Sequence, residues 1–184
     1  MKSQALCMSL LALSCSCLTV AQENEIKTPE NTEVHSPKTI LKYAEASQNL
    51  STLRAALKAA DMEDIMGNQG PFTVFAPSDK AFEEFPGSFN LFDPENKKDL
   101  RALITYHIIA GKFTASNILR AMCRGNGVAT FTTVQGNEII ASMHGLDIVL
   151  TDYLGNSARI TTAVMDQRNG VIHQIDSVIL PRKM

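Results

Sequence analysis

Apolar positions in the first half of the chain recur at helical spacing. Ile40, Leu41 and Ala44 share one face of a helix whose start is marked by Ser36, an N-cap residue, and by Pro37 at the first helical position. Leu50, Leu53, Ala56, Leu57 and Ala60 repeat the i, i+3, i+4, i+7 pattern of a second helix packed on a core. After Gly70-Pro71, the run Phe72–Ala76 is rich in β-forming residues and bounded by prolines, which predicts a short strand ending where Pro77 cannot serve a central ladder. Ser78 then predicts an N-cap for a helix through Phe82 and Phe85. Asp93-Pro94 opens a further helix by the same logic, running through Leu100, Leu103 and Ile104 toward Tyr106-His107. Ile118, Leu119 and Met122 mark a shorter one.

From Val128 onward the period changes. Short β-rich segments, about Val128–Thr133, Glu138–Ser142, Asp147–Thr151, Ala158–Val164 and Val171–Ile179, alternate with the turn pairs Gly136-Asn137, Gly155-Asn156 and Asn169-Gly170. Helices first and strands later, without β-α-β alternation, predict an α+β fold with a largely antiparallel sheet.

Composition narrows the function more than the fold. A net charge of −2, with 17 basic and 19 acidic residues in 184, argues against an electrostatic nucleic-acid binder. Hydrophobic content of 45% with 20% charged residues is that of a globular chain. Residues 1–21 read as a signal peptide. Lys2 supplies a weak positive start, Ala5–Leu13 a short apolar region, and Thr19-Val20-Ala21 the small residues before a cleavage site. Residues 22–35 are polar and aperiodic, a tether leading to one domain over 36–184.

Three of the four cysteines lie in the leader, leaving Cys123 alone in the body, so no internal disulfide is expected. Two fates of the leader stay open: simple secretion, or lipidation at Cys15 or Cys17. Each of these cysteines follows a serine, as a lipobox allows, but neither has leucine three positions before it.

Three segments carry a family resemblance. Residues 70–82 read GPFTVFAPSDKAF, 103–113 read LITYHIIAGKF and 169–181 read NGVIHQIDSVILP; 133–141, TVQGNEIIA, fit the strand-turn-strand between the last two. In this order and spacing they resemble the fasciclin domain across residues 37–181. The resemblance implies a wedge of largely antiparallel β-sheet with helices packed against it, export or membrane anchoring, and a role in adhesion or matrix interaction. In some animal members the Tyr-His pair, matched here by Tyr106 and His107, is tied to integrin-mediated adhesion. The Asp-Ile pair linked to the same recognition is not matched: Val164 and Met165 stand there.

The candidate chemistry is thin. His107 falls on or just past the apolar stripe of its helix, and His173 alternates with Val171 and Ile175, so both read as satisfied core histidines. His35 and His144 have no spaced partner, and no metal site is expected. Cys123 follows a helix C-terminus, where the dipole opposes a thiolate nucleophile, although Arg120 and Arg124 offset this a little. Asp79 suits the dipole of the helix it opens, and Asp176 points away from the His173 face, which leaves no dyad.

No catalytic residue and no cofactor are expected. The function expected is a non-catalytic extracytoplasmic module that binds a protein or glycan at the cell surface, in the periplasm or in the matrix. It binds no nucleic acid and touches a membrane only through an N-terminal lipid. Tyr106 (as a half-exposed side chain), His107 and Met165 are the candidate contact residues. The competing expectation is a binder of an apolar ligand or lipid in a helix–sheet cleft near Phe82, Phe85, Phe89 and Phe92.

Overall fold

The computed structural model describes residues 38–86 and 91–182, and the side chains of 164–166 are not described. The leader with Cys15 and Cys17, the tether, the Ser36-Pro37 start and Phe89 lie outside the described residues. Helix α1 (Ile40–Ala46) takes its N-cap from Thr39, whose hydroxyl accepts from the Lys42 amide at 3.3 Å. It is followed by α2 (Ser51–Ala59) and the short α3 (Glu63–Asn68). Nothing in the hydrophobic spacing announced α3, because only Met66 within it is buried.

Strand β1 (Phe72–Pro77) leads through the N-cap Ser78 into α4 (Asp79–Glu83). The Asp93-Pro94 pair opens a single 3-10 turn, Pro94–Asn96, that runs on into α5 (Lys97–Tyr106). Strand β2 (Ile108–Ala110), α6 (Ala115–Arg124), β3 (Val128–Thr132), β4 (Glu138–His144), β5 (Asp147–Thr151), β6 (Ser157–Gln167) and β7 (Gly170–Ile175) complete the fold. The segment after Ile175, expected as a continuation of the last strand, leaves the ladder at Asp176.

The seven strands form one sheet in the order β2-β1-β7-β6-β5-β4-β3. Every pairing is antiparallel except β1 with β7, which run parallel from Phe72↔Gly170 to Pro77↔Ile175. Pro77 is tolerated because it closes the strand, beyond the last β2 partner, Ile108 opposite Val74. A bridge between Ile109 and Thr133, with the Val134 amide donating to the Ile108 carbonyl at 2.7 Å, brings the two ends of the sheet together.

Two cores result. One lies between the sheet and helices α1–α5 and contains Leu53, Leu57, Val74, Phe82, Leu103 and Ile172. The other lies within the curl of the sheet, capped by α6, and contains Phe75, Tyr106, Ile118, Phe131, Ile139 and Leu150. Strands β1 and β7 sit between the cores, so they are buried on both faces and read as near-continuous apolar runs.

Two side chains hold this arrangement together. The N-cap position of α2 is Leu50, which has nothing to offer the free amides. The carboxylate of Asp79 takes that role from another helix, accepting from the Thr52 amide and Ser51 hydroxyl at 2.7 Å each and from the Ser51 amide at 3.2 Å. Burial alone would raise its pKa, but these donors outweigh it and hold the carboxyl below its ordinary value. Asn169, at the turn before β7, accepts from the Ile40 amide at 2.9 Å and donates to the carbonyls of Met66 (2.8 Å) and Gln69 (2.9 Å). It ties α1, α3 and the approach to β1 to one point.

Candidate functional site

The Tyr-His pair lies inside the protein. Tyr106 is 0% exposed, against the half-exposed side chain expected of it. Its hydroxyl donates to the Glu138 carbonyl at 3.0 Å. Burial, with the charge of Asp152 nearby, pushes its pKa up to about 12. The difference arises because α5 ends at Tyr106 and β2 begins at Ile108, which turns the ring inward under the β3–β6 part of the sheet.

His107 is the C-cap of α5 and is equally buried. Its Nδ1 lies 2.8 Å from the Leu103 carbonyl and must carry the proton; Nε2 then accepts from the Ile179 amide at 3.3 Å. Burial lowers its pKa to about 4, so the ring is neutral and both nitrogens are engaged. His173 stacks on Phe75 at 5.8 Å between centroids, and its Nε2 donates to the Phe113 carbonyl at 2.7 Å. Burial lowers its pKa too, and its Nδ1 has no partner.

These histidines are struts between neighbouring segments. The carboxylate near His107, Asp152, is itself taken up by the amides of Leu154, Asn156 and Leu180. Met165 is in β6, between the register shifts that separate Val164 from Gln167, and its side chain is not described. Cys123 is exposed near the end of α6. Among the described residues no group of three or more His, Cys, Asp or Glu side chains is arranged to hold a metal ion. Asp176 is committed to Arg159, accepting from its amide at 2.8 Å and pairing with its Nε at 3.4 Å.

Of the phenylalanines proposed for a cleft, Phe82 fills the helix-side core and Phe92 is 37% exposed. Phe85 lines an open hollow of about 620 Å³ with Pro86, Val178 and Leu180, beside the carboxylates of Glu84 and Asp176.

The outer face of β3–β6 is open to solvent. Along β3 and β5 the inward residues are buried and the outward ones open, as alternation in a half-covered sheet requires. Two hollows lie on this face and share Thr151. One, of about 700 Å³, spans Asp147, Val149 and Arg159; the other, of about 350 Å³, is bounded by Glu138, Ile140, Tyr153 and Arg182.

Tyr153 is 59% exposed, and the Arg182 guanidinium lies over its ring, 4.5 Å from the centroid. The turn that carries the ring is fixed from below by Asp152, a buried carboxylate. One oxygen accepts from the amides of Leu154 and Asn156, and the other from the Asn156 side chain (2.9 Å) and the Leu180 amide (2.8 Å). None of Glu138, Tyr153 and Arg182 stood out in the sequence. The one available signal was Tyr153-Leu154, two large apolar residues placed directly before the turn pair Gly155-Asn156, where polar residues are the rule.

The fasciclin domain model matches residues 48–181. The chain belongs to the fasciclin domain family. It is 37% identical over 98% of its length to the Synechocystis protein sll1483, covering 99% of that protein. It is 34% identical over 76% of its length to human periostin, of which it spans 15%. Against the immunogenic protein MPB70 of Mycobacterium bovis the identity is 30% over 74% of this chain and 66% of that one.

Among solved structures, a fasciclin domain pair from the insect cell adhesion molecule fasciclin I superposes with a TM-score of 0.68 at 19% identity. The match covers 78% of this chain and 51% of that one. The two-core arrangement of this fasciclin domain, with its parallel β1–β7 pair, is built from the first and last of the three segments that resembled the family: β1 and α4 come from residues 70–82, β7 from 169–181.

Proposed function

We propose that this fasciclin domain is a non-catalytic interaction module that works outside the cytoplasm, binding a protein or glycan at a cell surface, in the periplasm or in the matrix. The observation that carries the reading is the division of its polar chemistry. The buried histidines and the buried Asp152 carboxylate are spent on holding the fold, while one open sheet face carries two hollows lined by polar side chains beside an exposed tyrosine. Membership of a family with a solved member titled as an insect cell adhesion molecule supports the same reading.

The leader supports export, and Cys15 or Cys17 offers a lipid anchor as the alternative to free secretion. The mass of the mature N-terminus separates the two. The reading is tested with the purified protein on envelope fractions and whole cells of its source, and with a deletion strain scored for adhesion. Saturable retention and weakened adhesion are expected. Background retention together with unchanged adhesion overturns it.

A narrower second reading, an apolar ligand held at the hollow of Phe85, Val178 and Leu180, rests on that hollow alone. Native mass spectrometry of the protein from its own source, showing no co-purified lipid, would remove it.

A further inference from the structure

We propose that the open face of β4–β6, from Tyr153 and Arg182 to Arg159, is a binding site for a neutral oligosaccharide. This inference rests on the interaction-module reading and assigns it a place and a ligand class.

The first argument is preorganisation. An exposed aromatic ring on a loose turn would lose its binding energy to ordering, but the Tyr153 turn is locked by the four hydrogen bonds to Asp152. One of these comes from the Leu180 amide, so the same carboxylate also fixes the segment that carries Arg182 over the ring. The hydroxyl of Tyr106 braces the opposite wall through the Glu138 carbonyl. With Arg182 over one face of the ring and Tyr153 still 59% exposed, the apolar ring surface left open suits the C–H face of a sugar ring.

The second argument is the polar rim. Around the ring stand the Glu138 carboxylate, the Asn137 amide, the Thr151 hydroxyl and the Arg182 guanidinium, which pair with the donors and acceptors of adjacent hydroxyls. The second hollow continues from Thr151 along β5, about 13 Å to Asp147. It repeats the chemistry with Ser142, Ser157 and Arg159. Arg159 is held by Asp147 and Asp176 at 3.4 Å each, so its donors stand beside two carboxylates that outweigh its charge. The face therefore has no surplus of positive charge for a uronate or sulfated glycan.

The third argument separates glycan from peptide. Across the hollows, Ile140–Ser142 of β4 and Val149–Thr151 of β5 are paired on both sides, so the backbone there offers no free edge for an added strand, and recognition falls to side chains.

The test is a titration of the full mature protein, followed through backbone amide resonances, with cellotetraose, maltotetraose, laminaritetraose and chitotetraose. Tetragalacturonate serves as the acidic comparison. Saturable shifts are expected for at least one neutral tetrasaccharide, confined to residues 137–142, 147–159 and 180–182. Tyr153→Ala and Arg182→Ala are each expected to weaken binding about tenfold while the spectrum keeps the dispersion of a folded protein.

The proposal is overturned if no neutral tetrasaccharide gives saturable shifts at millimolar concentration, if the shifts fall on another face, if tetragalacturonate binds more tightly, or if both variants bind as the parent does. Should the tetrasaccharides fail while retention on cell envelopes persists, this site assignment falls and the interaction-module reading stands.

Discussion

Strands β1 and β7 and strands β3–β5 belong to one sheet but live in different surroundings. The first pair is buried on both faces, packed on the helix-side core on one and on the curled interior on the other. The second group is covered on one face only. In the first region almost every side chain is constrained by a neighbour, including polar ones: Thr73 donates to the Gly111 carbonyl and accepts from the Phe113 amide, both at 2.8 Å. In the second, half the side chains touch nothing that depends on them. The segments that resembled the family first lie in the doubly buried region, whereas the surface suited to a partner lies in the other. The proposed contact surface is thus separate from the doubly buried strands, although buried Asp152 and Tyr106 brace it from below.

The widest gap between the regions should appear on truncating side chains. Phe75 is fully buried in β1 and stacked on His173, so Phe75→Ala is expected to cost about 4 kcal/mol through lost burial and the cavity left behind. Val128→Ala, on the open face of β3, should cost under about 1 kcal/mol. Urea unfolding measures both, and similar losses would dissolve the division.

Glycine substitution probes the same contrast through the backbone. Gly170 opens β7 with φ +152, and a Cβ there would sit 1.9 Å from the Phe72 carbonyl oxygen. Gly155, with φ +85, has nothing within 4 Å of a built Cβ. Gly170→Ala is therefore expected to cost about 3 kcal/mol or more, because β1 and β7 must separate, and Gly155→Ala about 1 kcal/mol for conformation alone. Equal unfolding midpoints for the two variants would show that the β1–β7 contact yields easily.

Much of this was legible in the chain. The helical stripe Leu50–Ala60, the strand–cap–helix passage at Phe72–Ser78 and the strands after Val128 follow from local periodicity and turn chemistry, which the fold leaves intact. Strand β2 and helix α3 were missed for physical reasons. Ile108–Ala110 follows directly on a helical stripe, and its strand state is imposed by partners distant in sequence, Phe72–Val74. Helix α3 has one buried side chain and so almost no stripe. Exposure was harder still. Tyr106 ends a helix, and whether its ring faces water depends on where the next strand turns, which no local pattern encodes. The Tyr153 hollow joins residues from β4, a turn and the C-terminal segment, a set that only the folded chain brings together.

Acid should act mainly on the buried region. The unfolded chain takes up a proton on His107 near pH 6.5, whereas the folded protein resists until about 4 because burial disfavours the charged ring. Between these values the unfolded state binds more protons. Stability is full above the upper value and falls by about 1.4 kcal/mol per pH unit on acidification through the window, from this residue alone. His173, shifted in the same direction by burial, adds to the slope. Replacing His107 by Gln should lower stability at neutral pH, by unpairing the Leu103 carbonyl or the Ile179 amide, and should flatten the pH dependence. An unchanged slope in the variant would mean that other groups control the acid limit.

The smallest effect tests the seam between two helices, α2 and α4. Asp79 begins α4 but caps α2, so Asp79→Asn should reduce stability by about 1 kcal/mol through α2, while α4 keeps its own cap in Ser78. The carboxyl titrates below its ordinary value of 3.8 in the folded protein, so the charge stabilises at every pH above that value. Its contribution is lost only as pH falls through the lowered folded value. The difference between parent and variant should therefore stay level across the histidine window and shrink only in stronger acid. A difference that shrank already between pH 6.5 and 4, where His107 acts, would mean that Asp79 and the buried histidines loosen as one unit and that the seam does not separate them.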